Sequence, residues 1–123
     1  MKTFDNVVAK AKKDGNILAV IVFGSFARKE RHSDIDICLV LKQKMETLKM
    51  SKIKLDYLKD FPSFDVQIFQ QMPLYIRIRI LKEGKILFCS NMDMLYDVAF
   101  AAIREFGDYK HIYDSYLQGV LYA

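Results

Sequence analysis

The apolar residues of the chain follow two spacings, and these spacings predict helices and strands in turn. Apolar residues three or four positions apart, as at Phe4, Val7, Val8 and Ala11, are typical of the buried face of a helix. The continuous apolar run Ile17–Phe23 is typical of a central strand that is buried on both faces. The predicted strands are Ile17–Phe23, Asp34–Leu41, Phe64–Phe69 and Lys85–Phe88. The further predicted helices are Phe26–Arg31, Met45–Lys59, one between Pro73 and Gly84, Met92–Phe106 and Asp108–Tyr122.

The order of these elements predicts an α+β fold with an α/β-like alternation. One mixed β-sheet of about four strands would be flanked by helices, because an apolar sheet face has to be covered. Pro73 suits the start of a helix and Gly84 the position just past its end. The length of 123 residues fits one domain, which we expect to span residues 1–123.

Composition narrows the class of protein only modestly. Hydrophobic residues make up 52% and charged residues 28%, a balance typical of a folded domain. The run Ile17–Phe23 is far shorter than the roughly 20 residues that cross a membrane. The first residues lack the apolar core of a signal peptide, so we expect a cytoplasmic location. The net charge of +4 favours polyanionic partners but is too small to choose between nucleotides, nucleic acid and an acidic protein.

Cysteine and histidine do not predict a metal site. Cys38 and Cys89 are far apart and fit no zinc-ligand spacing, so we expect both to be reduced residues in or near the core. His32 and His111 are too widely separated to form a histidine metal site. Any metal would therefore be held by carboxylates.

The break after the first predicted strand is a candidate phosphate site. Gly24 and Ser25 end the strand, and a helix that begins directly after them presents backbone N–H groups that attract anions. Gly24 lets a phosphate approach the backbone closely, the Ser25 hydroxyl can donate to it, and Arg28 can add charge. The alternative is that this turn is purely structural, and the turn by itself does not decide between the two.

Three aspartates form a candidate metal site. Asp34 and Asp36 are two residues apart on a predicted strand and so point to one side of the sheet. Mg²⁺ would offset their repulsion, because it prefers oxygen ligands. Asp65 lies at the middle of an apolar strand, where aspartate is disfavoured. If the two strands pair, the three carboxylates and the phosphate site are the parts of a two-metal phosphoryl-transfer centre. The alternatives are two solvated acids at a strand start and, for Asp65, an exposed edge position or a partner for a lysine or arginine.

Gly24-Ser25 followed by Asp34-Ile35-Asp36 resembles the signature of the DNA polymerase β-like nucleotidyltransferases. The short chain, the later strand with Asp65 and the pattern Leu81–Phe88 resemble the minimal nucleotidyltransferase branch of that superfamily. The resemblance extends from about Ile17 to the last helix and implies the nucleotidyltransferase fold.

The sequence departs from the family pattern in the loop between these motifs. Eight residues separate Ser25 from Asp34, a shorter spacing than the family usually has. Lys29 stands where the small members often have glycine after the arginine. Both differences concern the loop over the triphosphate.

The resemblance implies a role for each candidate residue. Gly24, Ser25 and Arg28 would bind the nucleoside triphosphate, and Asp34, Asp36 and Asp65 would be catalytic and hold two Mg²⁺ ions. The implied activity is transfer of a nucleoside monophosphate, AMP from ATP, to a protein hydroxyl with release of pyrophosphate. The implied partner is a helical HEPN-domain protein, with this chain as the antitoxin of a toxin–antitoxin pair.

Two other functions stay open at this point. The chain could be a non-catalytic nucleotide-binding module that neutralises or regulates a partner protein by contact. Modification of RNA or DNA ends is favoured only by the basic charge, because no separate nucleic-acid-binding domain is evident in the sequence.

Overall fold

The computed structural model describes the backbone of residues 2–24 and 35–122 and the side chains of residues 4–24 and 35–111. The helices are α1 (Lys2–Lys13), α2 (Thr47–Asp60), α3 (Leu74–Glu83) and α4 (Met92–Tyr122). The strands are β1 (Ile17–Phe23), β2 (Ile35–Leu41), β3 (Phe64–Ile68) and β4 (Lys85–Cys89), with a 3₁₀ turn at Phe69–Gln71. The predicted helix Phe26–Arg31 lies outside the described residues.

The four strands form one mixed sheet in the order β3-β2-β1-β4. β1 lies at the centre, antiparallel to both β2 and β4, while β2 and β3 are parallel. Six of the seven residues of β1 are buried, which explains its continuous apolar sequence. The prediction of a mixed sheet flanked by helices is confirmed.

Helices cover both faces of this sheet. Alternate residues of β2 such as Ile37 and Leu39 pack in a core with α1 and α2, to which Val7 and Tyr57 contribute. The intervening residues, such as Cys38, pack in a second core with α3 and α4. The strand period of two therefore assigns each β2 residue to one face.

Polar contacts join α2 to α1 and to the turn that follows α1 on the first face. The Tyr57 hydroxyl donates a hydrogen bond to Asp14 Oδ2 at 3.0 Å, and burial together with this carboxylate raises the pKa of Tyr57. Lys10 Nζ lies 2.8 Å from Asp56 Oδ2 and 2.6 Å from Asp60 Oδ2. These contacts hold α1 and α2 on the sheet face opposite to α3 and α4.

The end of the chain differs from the sequence prediction. Two closing helices, Met92–Phe106 and Asp108–Tyr122, were expected on either side of Gly107, but the structure has one helix, α4, of 31 residues. A glycine inside a helix costs only about 1 kcal/mol relative to alanine, and hydrogen bonds on both sides outweigh that cost. The prediction of a break was therefore wrong.

The end of β3 also differs slightly from the prediction. Phe69 was expected to be the last strand residue, but it begins the 3₁₀ turn and its side chain is buried in the core beneath α3 and α4. Burial explains the apolar residue at this position equally well in a strand or a turn, so the apolar pattern could not place the boundary.

Gly107 and Gly84 should respond in opposite ways to alanine. A Cβ at Gly107 meets nothing within 4 Å, so Gly107→Ala should stabilise α4 by about 1 kcal/mol. A Cβ at Gly84 would lie 2.5 Å from both Ile80 O and Ile21 Cγ2, so Gly84→Ala should destabilise by about 1–3 kcal/mol. Urea unfolding measures both changes. A Gly107→Ala protein less stable than wild type would argue against one continuous α4.

Candidate active site

Gly24 forms the turn at the end of β1 and adopts a conformation that favours glycine. Its φ is +73°, in the left-handed region. A Cβ at this position would clash with Asp36 Oδ2 and lie 3.2 Å from Asp36 Cγ. The absence of a side chain at Gly24 therefore lets the Asp36 carboxylate lie against the end of β1.

Asp36 and Asp65 are direct neighbours across two parallel strands. Their Cα atoms are paired in the β2–β3 register, and the next pair is Ile37 with Val66. Ile37 and Val66 point into the core beneath α1 and α2, so Asp36 and Asp65 project from the opposite face. Asp36 is half-buried and Asp65 is exposed, so both residues are accessible to solvent on this face of the sheet.

A cleft lies between this end of the sheet and α3. Its volume is about 320 Å³. Its lining residues come from the sheet and from one side of α3, and they are Phe23, Gly24, Asp36, Ile76, Arg79, Ile80 and Glu83. Arg79 Nε donates a hydrogen bond to Glu83 Oε2 at 3.2 Å. The cleft thus combines apolar walls with carboxylates and one guanidinium group.

Two more polar side chains adjoin Asp65. Gln67 Nε2 donates to Asp65 Oδ1 at 3.1 Å, and Lys54 Nζ, on α2, donates to Gln67 Oε1 at 3.1 Å. The three side chains form a continuous hydrogen-bonded chain from α2 to the carboxylate of Asp65.

The structure describes half of the six site residues that the sequence predicts. It brings Gly24 against Asp36 and Asp36 beside Asp65. The other three, Ser25, Arg28 and Asp34, lie outside the described residues. Within the described part of the chain, no three His, Cys, Asp or Glu side chains form a group that could hold a metal ion.

The described carboxylates nevertheless suit Mg²⁺. Two carboxylates on adjacent strands and one face supply the hard oxygen ligands that Mg²⁺ prefers. Like charges directly opposite each other destabilise a sheet, and a bound cation would offset that repulsion. Among the described residues, Cys38 does not offer a thiolate for a soft metal, because it is buried and burial raises the pKa of its thiol.

Sequence reasoning missed Arg79, Gln67 and Lys54. Gln67 follows Asp65 by two residues on a strand, a spacing that places both on one face and could have drawn attention to it. Arg79 lies four residues before Glu83, which alone is typical of a solvated helix pair. No local sequence pattern indicates a role for Lys54, because only the packing of α2 brings it to β3.

Residues 5–93 match the family model described as Polymerase beta, Nucleotidyltransferase. This match covers well over half of the chain and includes the Gly24 turn and all three aspartates. The chain therefore belongs to the polymerase β nucleotidyltransferase family.

Individual relatives agree with this assignment. The chain is 32% identical over 81 residues to "Putative protein adenylyltransferase MJ1547" of Methanocaldococcus jannaschii, a match that spans 63% of this chain and 61% of that protein. The fold resembles a crystal structure of a toxin–antitoxin with AMP-PNP, with a TM-score of 0.67, 17% identity and coverage of 94% and 97% of the two chains. It also resembles a complex of the tri-AMPylated Shewanella oneidensis HEPN toxin with MNT antitoxin, with a TM-score of 0.65, 14% identity and 98% of each chain covered.

The described residues include no helix that is both long and apolar enough to span a membrane. For α4 the reason is its charge, because acidic and basic residues recur along its 31 residues.

Gly24→Ala should destabilise the protein because it combines strain with a clash. The left-handed backbone alone costs roughly 1–2 kcal/mol for a residue with a Cβ, and the contact with Asp36 adds to it. Gly15→Ala is the matched control, because a Cβ there meets nothing within 4 Å. Urea unfolding of both variants is the measurement. Equal stability of the two variants would contradict the role of Gly24 in this turn.

Proposed function

We propose that this protein is a Mg²⁺-dependent nucleotidyltransferase that moves AMP from ATP to a hydroxyl group of a partner protein. The observation that carries the proposal is the register pair Asp36–Asp65 beside the Gly24 turn. The likeness to a relative named as a protein adenylyltransferase supports AMP as the transferred group. The fold likeness to a toxin–antitoxin structure with AMP-PNP supports a nucleoside triphosphate as the donor.

The triphosphate would bind where β1 ends. Gly24 has no side chain to obstruct a phosphate group. Ser25 directly follows it in the chain, and Arg28 comes three residues after Ser25. Arg79 lines the same cleft from α3. We propose that its guanidinium exchanges Glu83 for a phosphate oxygen, because charged hydrogen bonds to phosphate are strong and directional.

The acidic residues would hold the ions and receive the proton. Asp34, Asp36 and Asp65 are the proposed ligands of two Mg²⁺ ions. Bound there, the ions would offset the charge of the phosphates and lower the pKa of the acceptor hydroxyl. The hydroxyl oxygen forms a bond to the α-phosphorus, the bond from that phosphorus to pyrophosphate breaks, and Asp65 accepts the hydroxyl proton.

The position of Asp65 suits a macromolecular acceptor. β3 is an edge strand, and Asp65 is exposed on it, so a side chain of another protein can approach without entering an enclosed pocket. The fold likeness to an antitoxin bound to a tri-AMPylated HEPN toxin supports a helical HEPN-domain protein as that partner and a toxin–antitoxin role for the pair. This role is consistent with a cytoplasmic location.

The described surface of α4 offers a contact for such a partner. Large apolar side chains recur on it every three or four residues and are exposed by 41–63%. They are Met92, Tyr96, Phe100 and Ile103. Tyr109, also exposed, extends the apolar surface. The side chains of Tyr113, Tyr116 and Tyr122 lie outside the described residues. Aromatic and methionine residues are enriched at protein interfaces, so we propose that α4 contributes to the contact.

Removal of either described carboxylate should abolish transfer. We expect Asp36→Asn and Asp65→Asn each to lower pyrophosphate release by on the order of a hundredfold or more. The acceptor in this assay is the proposed HEPN-domain partner, co-purified with the protein. Asp5→Asn is the control, because exposed Asp5 lies on α1, across the sheet from the site. Intact mass of the acceptor identifies the added group. A wild-type protein that binds the partner but transfers nothing from any nucleotide would favour the non-catalytic binding module.

Arg79→Met should weaken ATP binding more than catalysis. Loss of one charged hydrogen bond to phosphate corresponds to about 1.5–3 kcal/mol, or roughly a ten- to hundredfold rise in KM for ATP. Lys82→Met is the matched control, because it removes a cation from the same helix on the side away from the cleft. Steady-state kinetics with ATP separate KM from kcat. Equal KM values for the two variants would remove Arg79 from the proposed site.

A further inference from the structure

We propose that Gln67 is a positioning residue for Asp65, and that Lys54 fixes the orientation of the Gln67 amide. The inference rests on the proposed function, which assigns Asp65 a role as ion ligand and proton acceptor. It starts from the hydrogen-bonded chain in which Lys54 Nζ donates to Gln67 Oε1 and Gln67 Nε2 donates to Asp65 Oδ1, both at 3.1 Å.

The chemistry of the lysine determines which way the amide faces. A glutamine side chain carries an acceptor oxygen and a donor nitrogen of nearly equal size, and either could face Asp65. The ammonium group of Lys54 has only donors, so the amide oxygen must face it. The NH₂ group of Gln67 is thereby directed at the carboxylate of Asp65, which accepts.

Gln67 lies behind Asp65 and away from the cleft. The cleft is lined by Gly24 and Asp36 but not by Asp65, Gln67 or Lys54. Asp65 is the register neighbour of Asp36, whereas Gln67 is two residues further along β3 and pairs with Cys38. Gln67 therefore acts on the reaction through Asp65 and does not contact the reacting groups.

The hydrogen bond restricts the Asp65 carboxylate. Asp65 is exposed, and an exposed side chain that must adopt one orientation loses conformational entropy when it does so. The bond from Gln67 engages Oδ1. In the proposed function, Oδ2 is then the oxygen that serves the ion and the acceptor hydroxyl. Removal of a side chain that hydrogen-bonds a metal ligand typically changes metal affinity or activity by about 10–100-fold.

The experiment compares Gln67→Met with Gln71→Met. Methionine keeps a similar volume and removes both hydrogen bonds of the amide. Gln71 is the matched control, because its Nε2 donates to Ser51 Oγ at 3.3 Å, so it also joins this part of the chain to α2 without contacting Asp65. The first readout is Mn²⁺ binding in the presence of a non-hydrolysable ATP analogue. It is measured from the EPR signal of the free ion. The Mg²⁺ dependence of kcat and the KM for ATP are the second.

We expect Gln67→Met to weaken Mn²⁺ binding and lower kcat by about 10–100-fold, with KM for ATP little changed and with the Gln71→Met protein close to wild type. Lys54→Met should have a smaller effect of the same kind, and no additional effect in the Gln67→Met background, because both act through one chain. Lys54→Arg should retain wild-type behaviour, because an arginine can also donate to Oε1. Lys52→Met controls for loss of a cation on the exposed side of α2.

The outcomes separate this inference from the proposed function. If Asp65→Asn weakens Mn²⁺ binding but Gln67→Met behaves like Gln71→Met, the positioning role is overturned and the proposed function stands. If Asp65→Asn itself leaves Mn²⁺ binding unchanged, Asp65 is not a ligand, and both the assignment of Asp65 and the role of Gln67 are overturned. A lower kcat in Gln67→Met that is accompanied by a lower melting temperature and an unchanged Mn²⁺ affinity also overturns the positioning role, because the variant would then have lost stability and not metal binding.

Discussion

The parallel register between β2 and β3 determines how the rest of the site can be built. A shift of one residue would turn Asp65 to the opposite face, into the core beneath α1 and α2, while Asp36 stayed at the cleft. The register is held by the apolar pairs on that opposite face, where Ile37 and Val66 are fully buried. Burial of apolar residues on one face thus enforces the juxtaposition of two like charges on the other, an arrangement that is unfavourable in itself.

The two faces of the sheet differ in how they are covered. On the face of α1 and α2, the apolar core is supplemented by the Tyr57–Asp14 hydrogen bond and by the ion pairs of Lys10. On the other face, a cleft lies between α3 and the end of the sheet, beside Gly24 and Asp36. Because the first face fixes the sheet, the second can expose carboxylates at its edge without loss of the fold.

The fold is retained across a wide divergence in sequence. The solved structures described above share 14–17% of residues with this chain, yet nearly the whole length superimposes on them. A central strand buried on both faces tolerates many apolar substitutions that keep volume and pattern. The site tolerates fewer substitutions than the core. The positive φ at Gly24 favours glycine, and the register pair Asp36–Asp65 requires an acid at both positions.

The sequence by itself determined the elements whose signal is local. The buried run Ile17–Phe23, the helix between Pro73 and Gly84 and the glycine turn at the end of β1 follow from period, propensity and steric rules within a few residues. The same-face spacing of Asp34 and Asp36 is also a local inference, although Asp34 itself lies outside the described residues. The family was recognisable for the same reason, because its motif is short and contiguous.

Only the tertiary structure decided which distant residues meet. The pairing of Asp65 with Asp36 depends on strand register, and register is set by apolar contacts spread over the whole sheet. Lys54 reaches Gln67 because α2 packs beside β3, and Arg79 faces the cleft because α3 packs over β1. The continuity of α4 through Gly107 likewise depends on a balance between helix hydrogen bonds and a small local cost, which residue preferences alone do not reveal. Local sequence thus specified the elements and the acidic motif, whereas long-range packing determined the geometry that makes them a site.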